Sequence, residues 1–482
     1  MGLFKGSKGG RKPYFGLTGG WLTFWVSVAC STDMTLFGYD QGVFGGVIVT
    51  QDFLNTLDLA GPEHTSLLGT VTALYDVGCF FGAIAAFSIG ERLGRKKSIL
   101  LGTTVMSIGA ILQISAFSTG QMIAGRIIAG LGNGLNTATA PVWQAETSKA
   151  AWRGKLVVIE LILNIAGFSL SNWMTYGFSY VNGPVAWRFP LAFQFIFIFI
   201  LYGTVPWLPE SPRWLIAHGQ LDEAEQIIAD LEATTLDDAF VITESKEIQW
   251  AVQYERENGV GWWDLLRGRS GKGTSTIRRL LLGAGAQAMQ QLAGINVTSY
   301  YLPTVLIQSV HLSEKLARLL AACNSVSYLA FSMIGIPNVE MRTKGAALGT
   351  ASNWAFNFMV VEITPIGIQS LHWKFYIIWT IFNAAFVPTV YLFYPETADR
   401  TLEDIDRLFR ENSNVFIFTD KDAISSKRPL AYIEHEQAEV RRNSSAIGMN
   451  PEAEKHRLAA LARVNKGVVD DEEKSAEQVE EI

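Results

Sequence analysis

Ten stretches of this chain are apolar for long enough to cross a lipid bilayer, and few folds satisfy that constraint. They run approximately 21–49, 66–90, 98–117, 121–145, 154–178, 187–208, 279–308, 316–338, 345–370 and 373–394. A spanning helix takes about 20 residues. Several stretches are longer, which permits tilt or a local break. The expected fold class is therefore all-α transmembrane, a multi-pass helical bundle. The short basic segment Met1 to Pro13 shows no small-residue cleavage site before the first stretch, so the first helix is expected to act as the insertion signal.

The gaps between stretches set the orientation. Lys5, Lys8, Arg11 and Lys12 precede the first; Arg92, Arg95, Lys96 and Lys97 follow the second. Lys149, Arg153 and Lys155 follow the fourth, and Arg342 and Lys344 the eighth, whereas 50–65 holds no Lys or Arg. The positive-inside rule places both termini in the cytoplasm. A polar insert at 209–278 contains an amphipathic run, Leu221 to Leu231, and a second helical run, Glu244 to Arg256. It is expected to form a small cytoplasmic helical linker. The expected division is 1–208, a six-helix N-terminal bundle; 209–278, the linker; 279–394, a shortened four-span C-terminal bundle; and 395–482, a cytoplasmic tail. The tail opens with Leu402, Ile405, Leu408 and Phe409 at helical spacing and then becomes charged.

Most of the acid excess behind the net charge of −6 lies in that tail, which does not suit a nucleic-acid partner. Cys30, Cys79 and Cys323 fall in apolar runs and read as small packing residues. The six histidines show no ligand spacing, and no nucleophile–base set or phosphate loop stands out. No enzyme, metal or cofactor is expected.

Two kinds of polar residue sit inside the apolar stretches. Asp40 closes the first, in Gly38-Tyr39-Asp40-Gln41-Gly42. An ionised carboxylate at mid-membrane costs about 2.5–3.5 kcal/mol on insertion scales, which marks it as functional, with protonation as its chemistry and Arg126 as a buried partner. The bland alternatives are a helix-end carboxylate that reaches water and a fixed structural ion pair. Gln290, Gln291 and Asn296 offer carboxamides with both donors and acceptors, which suits a hydroxyl-rich ligand. Interhelical hydrogen bonding accounts for such residues equally well. Asn353 and Asn357 lie one turn apart and share a helix face.

The chain also repeats itself. Arg153-Gly154-Lys155 opens the fifth stretch and Pro209-Glu210-Ser211-Pro212-Arg213 ends the sixth; Arg342-Thr343-Lys344-Gly345 opens the ninth and Pro395-Glu396-Thr397 ends the tenth. Two parallel halves with a site at their interface are a transporter architecture. Upstream the halves differ. Lys12 to Arg153 is 141 residues with four stretches, but Arg279 to Arg342 is 63 with two. The shortfall of 78 residues corresponds to two helices absent just after Glu340.

Several motifs in order give the chain a family likeness. They are Gly38-Tyr39-Asp40, Glu91-Arg92-Leu93-Gly94-Arg95-Lys96-Lys97, Gly125-Arg126, Pro141-Val142-Trp143-Gln144-Ala145-Glu146, Arg153-Gly154 and the run 209–213. Gln290-Gln291-Leu292-Ala293-Gly294-Ile295-Asn296, Ser352-Asn353-Trp354 with Asn357, and Pro395-Glu396-Thr397 complete the set. Over about residues 20–410 the chain resembles a sugar porter of the major facilitator superfamily, of the fungal proton-coupled type. The resemblance implies a plasma-membrane sugar:proton symporter that works by alternating access. It implies Asp40 as the proton site with Arg126 as partner, and Gln290, Gln291, Asn296, Asn353 and Asn357 as sugar ligands. It further implies a cytoplasmic salt-bridge latch from Arg95, Glu146, Arg153, Glu210, Arg213, Glu340 and Glu396. Sugar, protons and the bilayer are the implied partners, with none specified for the tail. The family has twelve spans and usually a Gln at the position of Leu161, and this chain departs from both. Those departures keep two alternatives open: a transport-dead isoform or sensor, and a passive sugar uniporter. The motifs do not choose among hexose, pentose and disaccharide.

Overall fold

A computed structural model describes residues 13–148, 150–258, 276–333, 346–371 and 374–396, together with Leu408, Phe416, Ile417 and Ile424. Among these residues all regular structure is helical. The order is α1 (Gly20–Val47), α2 (Gln51–Thr56), α3 (Thr65–Leu93), α4 (Arg95–Ile114), α5 (Thr119–Glu146) and α6 (Ala150–Phe178). There follow α7 (Val185–Phe193), α8 (Phe195–Thr204), α9 (Pro212–Ala217), α10 (Leu221–Glu232) and α11 (Ala239–Asn258). The remaining helices are α12 (Thr276–Leu292), α13 (Ile295–Val310), α14 (Glu314–Ser332), α15 (Ala346–Leu371) and α16 (Phe375–Phe393).

All ten expected stretches contain helix. Among the described residues, five segments are long and apolar enough by themselves to cross a membrane: Thr65–Ala86, Arg95–Ile114, Lys155–Phe178, Val185–Trp207 and Phe375–Phe393. Others carry internal polar groups, such as Asp33 and Asp40 in α1 and Asn353, Asn357 and Glu362 in α15. The stretch 279–308 is not one continuous helix but two. It breaks between α12 and α13, where Gly294 takes φ +87°, a left-handed conformation that side chains other than glycine rarely adopt. The Glu340–Met341 junction and most of the tail lie outside the described residues.

The described residues within 13–258 and 280–386 form one compact unit, so helices from both expected halves share it. The described residues within 276–279 and 387–424 belong to a second unit. In it the Ile417 N–H donates to the Leu392 carbonyl at 3.0 Å, and Leu408 and Ile417 are buried together.

Glycines set the helix spacing in the first unit. Along α1, Gly38, Gly42 and Gly46 recur every fourth residue. A Cβ at these positions would run into the Asn164 carbonyl, the Phe168 and Ser171 side chains, and Thr175, all on α6. Gly78 and Gly82 of α3 face the Ile127 and Leu131 carbonyls of α5, while Gly130 and Gly134 of α5 face the Tyr75 and Cys79 carbonyls of α3. Gly102 and Gly109 of α4 meet Gly132 and Ala129 of α5. Lipid tails are as apolar as leucine, so helices in a membrane gain most from such close van der Waals approach.

The polar insert packs as a small layer. Leu215, Ile216, Ala224, Ile227, Leu231 and Val252 bury together with Leu22, and Tyr14 and Leu17 lie against them. The Gly19 N–H donates to the Asp230 carbonyl at 2.6 Å and ties the entry of α1 to α10.

Gly134→Val is expected to lower the thermal midpoint of the purified protein by several degrees, since overpacking costs about 1–3 kcal/mol. Gly203→Ala, where nothing lies within 4 Å of an added Cβ, should not lower it. Equal midpoints for the two variants in a detergent melting series would refute the seam's importance.

Candidate substrate and proton site

The break at Gly294 brings the ends of α12 and α13 beside α15. There the Gln291 amide donates to Asn353 Oδ1, and Asn296 Nδ2 donates to Gln291 Oε1 and, at 2.5 Å, to Asn357 Oδ1. Gln41 Nε2 of α1 donates to Asn296 Oδ1 at 3.3 Å. Asn357 Nδ2 then donates to Asp76 Oδ1 of α3 at 3.0 Å, and the Tyr300 hydroxyl reaches the same oxygen at 3.5 Å. Four of the five expected ligand residues therefore join in one network, and Asn353 and Asn357 share a face as their spacing requires. Gln290 stands apart, exposed and bonded to none of the four.

Asp40 and Arg126 are both fully buried, but the expected ion pair between them is not formed. Neither oxygen of Asp40 has a hydrogen-bond partner. Arg126 Nη2 donates to the Thr72 carbonyl at 2.9 Å. Its guanidinium lies 4.0 Å from the Phe44 ring centroid and 4.4 Å from that of Tyr75. Phe44 is one turn beyond Asp40 on α1, so the aromatic faces and the carbonyl hold the cation away from the carboxylate. Nε and Nη1 of Arg126 are left without partners.

Asp76 was missed in the sequence reading. Its signal was the one that singled out Asp40: a carboxylate within an apolar stretch, here 66–90. It is fully buried, and its Oδ2 is unpartnered. Arg126 bonds the carbonyl of Thr72, one turn before Asp76, so α3 links the carboxamide network to the cation. Arg318 is a second missed residue, a cation within the stretch 316–338. It lies buried on α14 and donates to the Thr175 carbonyl of α6 at 3.0 Å and to Thr50 Oγ1 at 2.9 Å, with Glu314 as its ion pair at 2.5 Å.

The charged set expected to form a latch is partly visible. Arg95 makes a two-point pair with Glu146, each bond 2.9 Å. Glu210 accepts the backbone N–H groups of Arg95 (2.9 Å), Lys96 (3.3 Å) and Ser211 (3.0 Å), and so caps α4 from a distant segment. Gly94 makes room for it, because a Cβ there would crowd Glu210 Oε2. Burial pushes the Glu210 carboxyl up from its ordinary range, against the pull of those N–H donors. Arg213 is half-buried and Glu396 exposed. The side chain of Arg153 and all of Glu340 lie outside the described residues. Among the described residues, Arg95, Glu146 and Glu210 join elements of the first half only.

A family model for "Sugar (and other) transporter" matches residues 25–341 and 336–409. The chain belongs to the sugar transporter family of the major facilitator superfamily. This member is 53% identical to the MFS-type transporter oryC of Aspergillus oryzae, over 91% of this chain and 94% of that protein. It is 33% identical to the sugar transporter STL1 of Saccharomyces cerevisiae, over 84% of each. Among solved structures, the proton:xylose symporter XylE bound to 6-bromo-6-deoxy-D-glucose matches with a TM-score of 0.67. That match has 21% identity and covers 80% of this chain and 99% of that one. The transporter is thus a multi-pass membrane protein and not an enzyme.

Replacing Glu210 with Ala is expected to destabilise the fold by about 1–2 kcal/mol through the lost cap. Glu210→Gln, which keeps one accepting oxygen, should lose less. A melting series that ranks Gln at or below Ala would refute the capping role.

Proposed function

We propose that this transporter carries a mono- or disaccharide together with protons, by alternating access between its two halves. On this reading it sits in the plasma membrane with both termini in the cytoplasm. The observation that carries the proposal is the continuous path from Gln291, Asn296, Asn353 and Asn357 through Asp76 to the neighbourhood of Arg126 and the unpartnered Asp40. The carboxamides bond to one another in this structure, and sugar hydroxyls match their donors and acceptors. A sugar that takes the Asn357 amide would leave Asp76 short of a donor and ready to draw Arg126. Arg126 in turn sets how strongly Asp40 holds a proton, because a nearby cation favours the charged carboxylate. Binding of sugar and proton are then linked reciprocally. XylE is a proton:xylose symporter by its description, which supports the same coupling. Individual wet ion pairs contribute only about 0–1 kcal/mol, so the latch would act by biasing the two access states, as would the buried Arg318 contacts.

The test is uptake of labelled D-glucose, D-xylose and maltose into yeast that lacks its own sugar transporters. Accumulation above the external level, abolished by a protonophore, is expected. Asp40→Asn should leave equilibration without accumulation. Asn357→Ala should weaken half-saturation about tenfold, the cost of a lost buried hydrogen bond. Protonophore-insensitive uptake would replace symport with passive uniport.

One observation favours a second reading, a transport-silent or sensing membrane protein. The family match falls in two pieces that meet at 336–341, where the spacing of the repeat leads one to expect two helices fewer. The alignment with oryC runs over 509 positions, yet 91% of 482 residues is about 439, so about 70 positions have no counterpart here. A high glucose sensor of S. cerevisiae, RGT2, is 27% identical over 86% of this chain. The full-length transcript across Glu340–Met341 decides between them. Additional in-frame codons for two helices support transport; a continuous junction favours the silent reading.

A further inference from the structure

A second buried acid pair lies away from the Asp40 region. Asp33 is on α1, seven residues before Asp40 and so about 10 Å nearer the start of the helix. Glu160 is on α6. They are 2% and 1% exposed. The glycine seam sets them opposite each other. Gly38 meets Asn164, so one turn earlier Met34 and Asp33 come level with Glu160. The Asn164 amide donates to the Met34 carbonyl at 3.2 Å and fixes that register.

Their hydrogen bonding is one-sided. Asp33 Oδ1 accepts from Asn136 Nδ2 at 2.8 Å, and Asn136 also donates to Thr103 Oγ1 at 3.1 Å. Asp33 Oδ2 and both oxygens of Glu160 have no donor. Among the described residues, the titratable groups that face the pair are each other, across the α1–α6 seam, and the Cys30 thiol on α1. From α5 comes Asn136, backed by Thr103 of α4, and neither titrates. Among the described residues there is no metal-ligand cluster. Two opposed, buried and ionised carboxylates with no cation between them are not sustainable, and carboxylates sharing a site keep one proton. A carboxylic acid supplies the donor that the three unpartnered oxygens lack.

We propose that Asp33 and Glu160 form a second proton-binding site, with the proton held on Glu160. Glu160 is the protonated member because Asp33 already has the Asn136 amide as a donor. This site does not depend on which sugar the transporter carries, nor on transport itself.

The test is infrared difference spectroscopy of the purified full-length protein at pH 7, wild type minus variant. Glu160→Gln should remove a carboxylic-acid carbonyl band that exchanges in deuterium oxide. Asp33→Asn should shift that band, and Asp40→Asn should leave it in place. Loss of carboxylate bands alone in Glu160→Gln would overturn the proposal. Should Glu160→Gln not fold, the wild type is treated at pH 7 with a hydrophobic carbodiimide, which attacks protonated buried carboxyls, and its peptides are weighed. An adduct on Glu160 supports the site, and an unmodified Glu160 in a reaction that labels other buried acids refutes it.

Discussion

The close approach of glycine to a neighbouring helix's backbone is the contact on which the rest of the molecule depends. Gly38, Gly42 and Gly46 set α1 against α6, and Gly130 and Gly134 set α5 against α3 in return for Gly78 and Gly82. In lipid, burial of apolar surface does not draw helices together, so packing and interhelical hydrogen bonds must. At such short separations the polar side chains placed between glycines are forced together. Asp40 lies between Gly38 and Gly42, and Arg126 follows Gly125. The seam that holds the bundle is also the scaffold of its buried charges.

Those charges are underpaired in a consistent way. Asp40, Asp76 and Arg126 each keep polar atoms with no partner, although all three are fully buried. A fixed structural ion pair would close. Instead Arg126 rests on two aromatic faces and a carbonyl, within the field of two carboxylates on different helices. The arrangement suits a group that must exchange partners. The carboxamide network reaches this cluster through the single bond from Asn357 to Asp76, which makes Asp76 the joint between the hydroxyl-binding set and the cation.

Much of this was legible before any coordinates. The helices follow from runs of apolar residues long enough to span, and the amphipathic insert helix at Leu221 follows from its spacing. Asn353 and Asn357 were read as one face, and the structure bonds both into the network. The place of the break at Gly294 was not legible, because apolar length does not register a left-handed glycine until the chain is seen to turn there. The Asp40–Arg126 pair was expected from opposite charges within apolar stretches and from the family likeness. What the sequence does not state is that Phe44, one turn along, competes for the same cation. The family likeness groups Gln290 with Gln291, but neighbours on a helix point about 100° apart, and only Gln291 turns inward.

The sequence by itself determined the class: a multi-pass helical bundle of this transporter family, with intramembrane acids, a cation and carboxamides in a fixed order along the chain. The bundle and its buried polar groups follow from local quantities, the length of apolar runs and the cost of a polar group in hydrocarbon, whereas the family follows from the ordered motifs. Only the tertiary structure decided which polar groups meet. Asp76 with Asn357, Arg318 with Thr50 and Thr175, and Glu210 with the start of α4 join residues more than a hundred positions apart. Such pairings depend on helix register and on which carbonyl each glycine admits, and neither is a property of any single segment.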